Sequence, residues 1–313
     1  MQTLIQYYNG YTGDNLFYYI QLSCKQIYNE ILKYNLHRNS IDIHTGLNKS
    51  GDIQQKLDVI SNSIFINNMK ESNLVAGIIS EENNNIIKFN EHTLRRWVIA
   101  CDPLDGSSNI DCNIGIGTIF GIYHRGKFNQ ELSDVSLPKG DDLFISGYCI
   151  YSTVIELIIS TNKVVNRFTL DTAIGEFVLS QKQVRIPSIP KQIYSVNEGN
   201  YSKWDNDITI YIDQCKFNKS YSLRYIGSMV ADIHRTLLYG GIFLYPSDNK
   251  NKNGKLRLMY EAHPIAKIIE TAGGKAITNN KKRLLDIIPT SIHERIPVFI
   301  GSCNDINSLN NIL

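Results

Sequence analysis

Short apolar runs of strand length recur along this chain, and several of them end at acidic residues. LVAGIIS (Leu74–Ser80) runs into Glu81-Glu82, RRWVIAC (Arg95–Cys101) into Asp102 with Asp105 a turn later, and KLRLMYE ends at Glu261. IGTIFGIY and LFISGYCIYSTVIELIIS read as further strands, followed in the second half by IYSVN and IFLYP. Between these runs the apolar period changes from two residues to that of a helix. Leu16, Ile20, Ile27, Ile31 and Leu32 share helical spacing, with Asp14 as an N-cap. QQKLDVISNSIFINNMKES predicts a second amphipathic helix, and the polar stretch HRNSIDIHTGLNKSGD before it reads as a mobile loop. YIGSMVADIHRTLLYGG predicts a helix stopped by Gly240-Gly241, and HPIAKIIETAGG one opened by Pro264 and closed by Gly273-Gly274. Strands and helices that alternate in both halves predict an α/β fold of layered sheets with helices between and outside them. The polar, Pro-containing stretch Val184–Gln192 is the expected boundary between two domains, 1–186 and 187–313.

The 313 residues are enough for one large or two ordinary cores. A net charge of +2 is too small to point to nucleic acid or an anionic membrane as partner. No apolar run approaches the ~20 residues needed to span a bilayer. The opening MQTLIQYYNGYTGD has neither the basic nor the apolar region of a secretory signal. Six widely spaced cysteines with no Cys-x-x-Cys pair read as free thiols. A cytoplasmic location is therefore expected.

Ligands bind in α/β sheets where strands end and loops begin. Glu81, Glu82, Asp102, Asp105 and Glu261 at three such ends would repel one another unless cations lay between them, and oxygen donors of this kind suit Mg²⁺ or Mn²⁺. Asp52 and Asp58 stand on or before the second helix. Gly106-Ser107-Ser108 follows two of the acids at once, and a glycine-opened turn with hydroxyls can receive an anion. Arg224, Tyr225, Tyr245 and Lys255 in the second half are candidates for holding the rest of a phosphorylated substrate. GIGTIFG has the wrong spacing for a dinucleotide fingerprint, NGKLRL lacks the hydroxyl of a P-loop, and His234, His263 and His293 lack metal-ligand spacing. No nucleophile elbow or Ser-His-Asp pattern is present.

GDIQQKLDVIS, ISEE, DPLDGSSNIDCNIGIGTIFGIY, DTAIGEF, IYSVNEG, RYIGSMVADIHRTLLYGGIFLYP, NGKLRLMYE and AGG together resemble the class I fructose-1,6-bisphosphatases, from about Tyr11 to the C-terminus. DPLDGSS with the upstream Glu-Glu marks the wider superfamily of metal-dependent sugar and inositol phosphatases, and SMVADIHRTLLYGGIFLYP narrows it to the fructose enzymes. The resemblance implies a five-layer α-β-α-β-α fold. Its first half would carry the metals, the phosphate and an AMP-type inhibitor site, and its second half would bind the sugar phosphate. It implies Mg²⁺ (Mn²⁺ as the alternative) held by Glu81, Asp102, Asp105, Glu261 and the Leu104 carbonyl, with Asp52 completing another site. Asp58 and Glu82 would orient and deprotonate the attacking water. Gly106, Ser107, Ser108 and Asn109 would hold the departing phosphate, and Asn197, Tyr225, Tyr245 and Lys255 the sugar and its 6-phosphate. Arg224 would reach a neighbouring subunit's site in a homotetramer.

The sequence departs from the family at Asn200, at the AMP site and in the loop HRNSIDIHTGLNKSGD, which lacks the family's usual Gly-x-Ala-Gly text. Asn200 stands where a tyrosine follows Asn-Glu-Gly, so that Tyr201 moves in or one contact is lost. Thr12-Gly13-Asp14-Asn15-Leu16, Arg96-Trp97 and His124 replace the Thr-Gly-Glu-Leu-Thr, Lys-Tyr and Arg of the AMP site, which predicts weak or altered AMP inhibition. No cysteine lies between Tyr123 and Gly147, so the redox insertion of chloroplast forms is absent. Other readings are a sedoheptulose-1,7-bisphosphatase or a bisphosphatase of broader specificity, an inositol-type phosphatase, and a non-catalytic metabolite sensor. The complete acid set weighs against the sensor.

Overall fold

The structure, a computed structural model, describes residues 1–11, 15–41, 49–89, 95–218 and 220–313, with side chains described outside 37–41 and 49–55. A short turn α1 (Leu4–Tyr7) precedes two long helices, α2 (Leu16–Ile41) and α3 (Lys49–Glu71). Then come β1 (Val75–Ser80), β2 (Ile87–Lys88), β3 (Trp97–Asp105), β4 (Ile116–His124), β5 (Leu143–Tyr151), β6 (Ile155–Thr161), β7 (Val165–Asp171) and β8 (Glu176–Gln181). The second half carries β9 (Ile193–Ser195), α4 (Asn206–Phe217), β10 (Ser222–Leu223), α5 (Met229–Tyr239), β11 (Ile242–Tyr245) and β12 (Leu256–Arg257). It ends with α6 (His263–Thr271), β13 (Lys275–Ile277), β14 (Arg295–Ile296), β15 (Val298–Gly301) and α7 (Cys303–Ile312).

Eight strands form one sheet in the order β2-β1-β3-β4-β5-β6-β7-β8, and five form another in the order β10-β9-β11-β15-β13. The larger sheet is almost wholly antiparallel, yet all nine residues of β3 are buried, because it is covered on both faces. Successive residues divide between the sheet's two covered faces. Ile99, Cys149, Leu157 and Ile159 pack with Leu16, Ile20, Ile27 and Phe65 of α2 and α3. Ile119, Tyr148 and Ile158 pack with Val230, Ile233, Ile265 and Ile268 of α5 and α6, and through them with Phe243 and Ile300 of the second sheet. Its far face is closed by Ile208, Tyr211 and Ile212 of α4 and Ile306 and Leu309 of α7. The layers are therefore α-β-α-β-α, as the alternation of runs and the resemblance predict.

Three boundaries differ from expectation, the first being β3, which starts at Trp97 and runs through Asp102 to Asp105 rather than ending at Cys101. The polar stretch 37–52 is helical at both ends, since α2 continues to Ile41 and α3 starts at Lys49. No Pro or Gly interrupts Leu36 to Ile41, so polarity alone does not end a helix there. The middle of that stretch lies outside the described residues, as do Thr12, Gly13 and the N-cap Asp14. KLRLMYE is a strand only at Leu256–Arg257, and Leu258–Ala262 form a wide π-type turn that leads directly into α6. All five turn residues are buried, and an apolar run with no free face carries no period to separate strand from turn.

Candidate active site

β1 and β3 are parallel, with Ser80 opposite Cys101, so Glu81-Glu82 and the Asp102–Asp105 end of β3 lie at the same end of the sheet. Residues three apart on a regular strand face opposite sides. Here the pairing of β3 with β4 shifts between Asp102↔Ile119 and Asp105↔Gly117, three residues spanning two. That bulge turns both carboxylates to one side. Pro103 sits within it; its carbonyl accepts the Thr118 hydroxyl at 2.8 Å, and the Leu104 N–H donates to Asp102 Oδ1 at 3.0 Å. Glu261, carried by the wide turn before α6, completes the group and takes the Arg257 N–H at 2.5 Å.

Asp102, Asp105 and Glu261 are 3%, 8% and 5% exposed, and one carboxylate oxygen from each lies within 4.8 Å of the others. Burial, then the charges of Glu81, Asp105 and Glu261, push Asp102 well above the usual carboxylate range. Burial likewise raises Glu261, with Glu81 and Asp105 adding to it, and holds Asp105 at about 7 although the Val230 N–H donates to its Oδ2 at 2.8 Å. The Arg257 Nε lies 4.0 Å from Glu81, at the edge of this group. Three buried carboxylates this close are stable together only with shared protons or a cation among them. An all-oxygen donor set fits a hard divalent ion.

Asp58 projects from α3 onto this end of the sheet. The Ser107 hydroxyl donates to its Oδ2 at 3.4 Å, and burial, with Glu82 and Glu81 nearby, lifts its carboxyl to about 6. Glu82 is raised by burial and by Glu81. Asn62 holds α3 to this strand end: it accepts the Ser80 hydroxyl at 2.8 Å and donates to Asn83 at 2.8 Å. Gly106 has φ +77 and opens the 3-10 turn Ser107–Cys112. A Cβ there would come within 2.8 Å of Ser228 Oγ. The Asn109 side chain donates to the carbonyls of Gly106 (3.2 Å) and Gly227 (3.0 Å), joining the turn to the start of α5.

Asn197, Tyr245 and Lys255 line one pocket with Asn200, Trp204 and Asp248. Tyr225 stands beside Tyr245, and burial raises its phenol to about 12. Tyr245 is raised by burial and by both Glu261 and Asp248, so it lies between the pocket and the acids. Tyr201 is held away, its hydroxyl donating to Asp213 at 2.6 Å and its ring under Lys216 at 4.3 Å. Asn200 therefore occupies the wall, and its Oδ1 accepts from Lys203 at 2.8 Å. Arg224 does not join this pocket: it is exposed and donates to its neighbour Leu223 O at 2.9 Å. The side chain of Asp52 lies outside the described residues.

Sequence reasoning passes over Asp232. This fully buried carboxylate accepts from Ser195 Oγ (2.7 Å), Arg235 (2.6 Å) and the Ile226 and Gly227 amides (both 3.0 Å). It thereby fixes the loop that carries Tyr225 and meets Asn109. Its only sequence signal is an acid inside an apolar helix. Ser228, also missed, is buried with its hydroxyl unpartnered among the described residues.

At the sites of departure, Trp97 is 6% exposed, stacks on Phe144 at 5.0 Å and meets His124 edge-on at 5.7 Å. His124 Nδ1 accepts the Gly126 N–H at 3.1 Å, and Leu16 is fully buried.

Comparison with known proteins gives concordant matches. The family described as fructose-1-6-bisphosphatase, N-terminal domain, matches residues 9–182, and its C-terminal domain matches 186–313. The cytosolic fructose-1,6-bisphosphatase of Spinacia oleracea is 47% identical over 296 residues, covering 93% of this chain and 86% of the relative. That of Arabidopsis thaliana is 44% identical over 295 residues, with the same coverage. Among solved structures, the holo form of Leishmania major fructose-1,6-bisphosphatase superposes with a TM-score of 0.88 at 42% identity, covering 99% of this chain and 98% of that one.

Proposed function

The chain belongs to the fructose-1,6-bisphosphatase family, and on that premise we propose that it hydrolyses the 1-phosphate of fructose 1,6-bisphosphate in gluconeogenesis, giving fructose 6-phosphate and phosphate. The observation that carries this reading is the segment from Lys255 to Glu261. One end lines the polar pocket and the other joins the buried acid cluster, so a sugar with an anion at each end spans two grips set on one piece of chain.

Glu81, Asp102, Asp105, Glu261 and the Leu104 carbonyl would hold Mg²⁺, with Mn²⁺ as the alternative and Asp52 contributing to a further site. Such an ion, when bound, neutralises the phosphate and stabilises the leaving oxygen. Asp58, set at about 6, is a base near its working range. With Glu82 it orients water and takes its proton. Gly106, Ser107, Ser108 and Asn109 hold the phosphate as it departs, and no covalent nucleophile is required. Asn197, Tyr225, Tyr245 and Lys255 hold the sugar and its 6-phosphate. In this reading residues 1–186 carry the chemistry together with Glu261, and the rest of 187–313 the sugar grip. The outward-facing Arg224 serves a neighbouring subunit of a homotetramer. The cytosolic naming of the plant relatives supports the same compartment here. Phosphate release from fructose 1,6-bisphosphate with Mg²⁺ or Mn²⁺, measured beside sedoheptulose 1,7-bisphosphate, tests the assignment. Faster turnover of the heptulose would reassign the substrate, and release from neither would overturn the reading.

Two further expectations arise here. Lys203 reaches the pocket through Asn200, so Lys203→Ala should raise KM for the bisphosphate roughly fivefold, the loss of a partly screened charge interaction of about 1 kcal/mol. kcat should stay within about twofold. The stacked Trp97 and the engaged His124 leave a differently shaped surface where the family's AMP-site residues stand. Titration of the purified enzyme should therefore show weak or altered AMP inhibition, and inhibition at low micromolar AMP would count against it.

A further inference from the structure

A concavity of about 1060 Å³ adjoins the segment that carries Lys255. It is bounded by Lys252-Asn253, the turn Thr278–Arg283 and the stretch Asp286–Pro297. Its charges are unequally satisfied. Arg283 is committed to Glu270 (2.8 Å), Asp286 (2.9 Å) and Asp141 (3.2 Å). Glu294 accepts the Thr290 N–H and hydroxyl at 2.5 and 2.7 Å. Asp286 is thus paired within the wall, and Glu294 keeps its hydrogen bonds within its own turn. Lys252, Lys282 and Arg295 line the same space with no ion-pair partner among the described residues. Beside them Ile287, Ile288 and Pro297 give the wall an apolar strip, and Ile288 is 65% exposed. Three unanswered cations next to apolar surface match an anion joined to an apolar body.

The wall also forms the backing of the sugar pocket. Arg295 pairs with Arg257 and Ile296 with Leu256 in the β12–β14 ribbon. Gly254, at φ +71, packs on the Ile296–Pro297 backbone so tightly that a Cβ would lie 2.6 Å from Ile296 C. Asn279 of the turn donates to Ser247 Oγ at 2.6 Å. Lys255 follows Gly254 directly, and Arg257 gives its N–H to Glu261.

We propose that this concavity is a second ligand site, for a small organic phosphate with an apolar or aromatic body, held by Lys252, Lys282 and Arg295 and coupled to the sugar pocket through the β12–β14 ribbon. The coupling rests on the role given to Lys255 above, whereas the binding does not.

Pyridoxal 5′-phosphate is a suitable probe, since it has both parts and an aldehyde. Its carbonyl carbon condenses with a lysine Nζ, losing water. Borohydride then delivers hydride to the imine carbon, and the nitrogen takes a proton from solvent, leaving a stable secondary amine. The whole protein is labelled with fructose 1,6-bisphosphate present to shield Lys255, then mapped by peptide mass spectrometry. Lys252 or Lys282 should be labelled at least about tenfold faster than exposed Lys127, and Arg295→Ser should remove most of that preference. Coupling is reciprocal, so saturating substrate should change the labelling of either lysine only by about the factor by which labelling shifts KM, and should not block it. Labelling no faster than at Lys127, unchanged preference in R295S, or complete protection by substrate would each overturn the site. In the assay of the labelled enzyme, KM for the bisphosphate should shift at least about threefold, and an unchanged KM would overturn the coupling. A protein without bisphosphatase activity would refute the proposed function, while the labelling map would still decide the binding site.

Discussion

Replacing Asp58 by asparagine is expected to lower kcat by about a thousandfold, the scale of a lost general base, while the fold stays intact. The side chain keeps its size and its contact with Ser107 and loses only its charge. That charge is disfavoured in the folded protein, being partly buried beside Glu82 and Glu81. The variant should therefore melt no lower than the parent, which separates a catalytic role from a structural one. Wild-type activity should fall as pH drops below about 6, where Asp58 takes up a proton, and the residual activity of Asp58→Asn should lack that acid limb. Near-full activity in the variant would show that the base lies elsewhere.

Removing divalent metal should abolish turnover and also change how stability responds to pH. In the metal-free protein Asp102, Asp105, Glu261, Glu82 and Asp58 all sit above their ordinary range because burial and mutual repulsion favour the protonated forms. Between the ordinary carboxylate range and about pH 7, the folded state then holds more protons than the unfolded one, so stability falls as pH rises through that window. The chelated protein should be more stable near pH 5 than near pH 7.5. Added Mg²⁺ should reverse this order by binding the ionised forms. At a hundred times its Kd the ion contributes about 2.7 kcal/mol. Melting curves at the two pH values, with chelator and with Mg²⁺, check both signs. A Tm at pH 7.5 that is the same with chelator and with Mg²⁺ would remove the acid cluster from consideration as a metal centre.

The layering was legible because strand-length runs and helix-period runs alternate, and because Gly240-Gly241 and Pro264 mark real helix limits. Glu81 was legible as a strand end, whereas Asp102, read as another, lies inside β3, which runs on to Asp105. What brings Asp102 and Asp105 onto one side was not legible: a bulge is a property of pairing, and Gly117 and Ile119 on the partner strand give no local sign of it. Glu261 was correctly grouped but placed on a strand, since the buried run from Leu258 to Ala262 has no exposed face to show its period. Asp232 was invisible for a related reason. Its partners are backbone amides six and five residues upstream, Ser195 and Arg235, and only the folded loop brings them to one carboxylate. Tyr201 could not be placed from text alone, because Asp213 and Lys216 compete for it from a helix that follows.

The shared end of β1 and β3 also sets where this chain tolerates a change in length. Both strands deliver their acids through a parallel register, so one residue inserted between Val75 and Ser80 or between Trp97 and Asp105 would put neighbours such as Cys101 where carboxylates belong. The hairpin turn at Asn162–Val164 closes β6 onto β7 at the opposite end of the sheet, and the turn at Thr172–Gly175 joins its last two strands. Tags, loops or whole domains spliced into those two turns leave the register of β1 and β3 untouched.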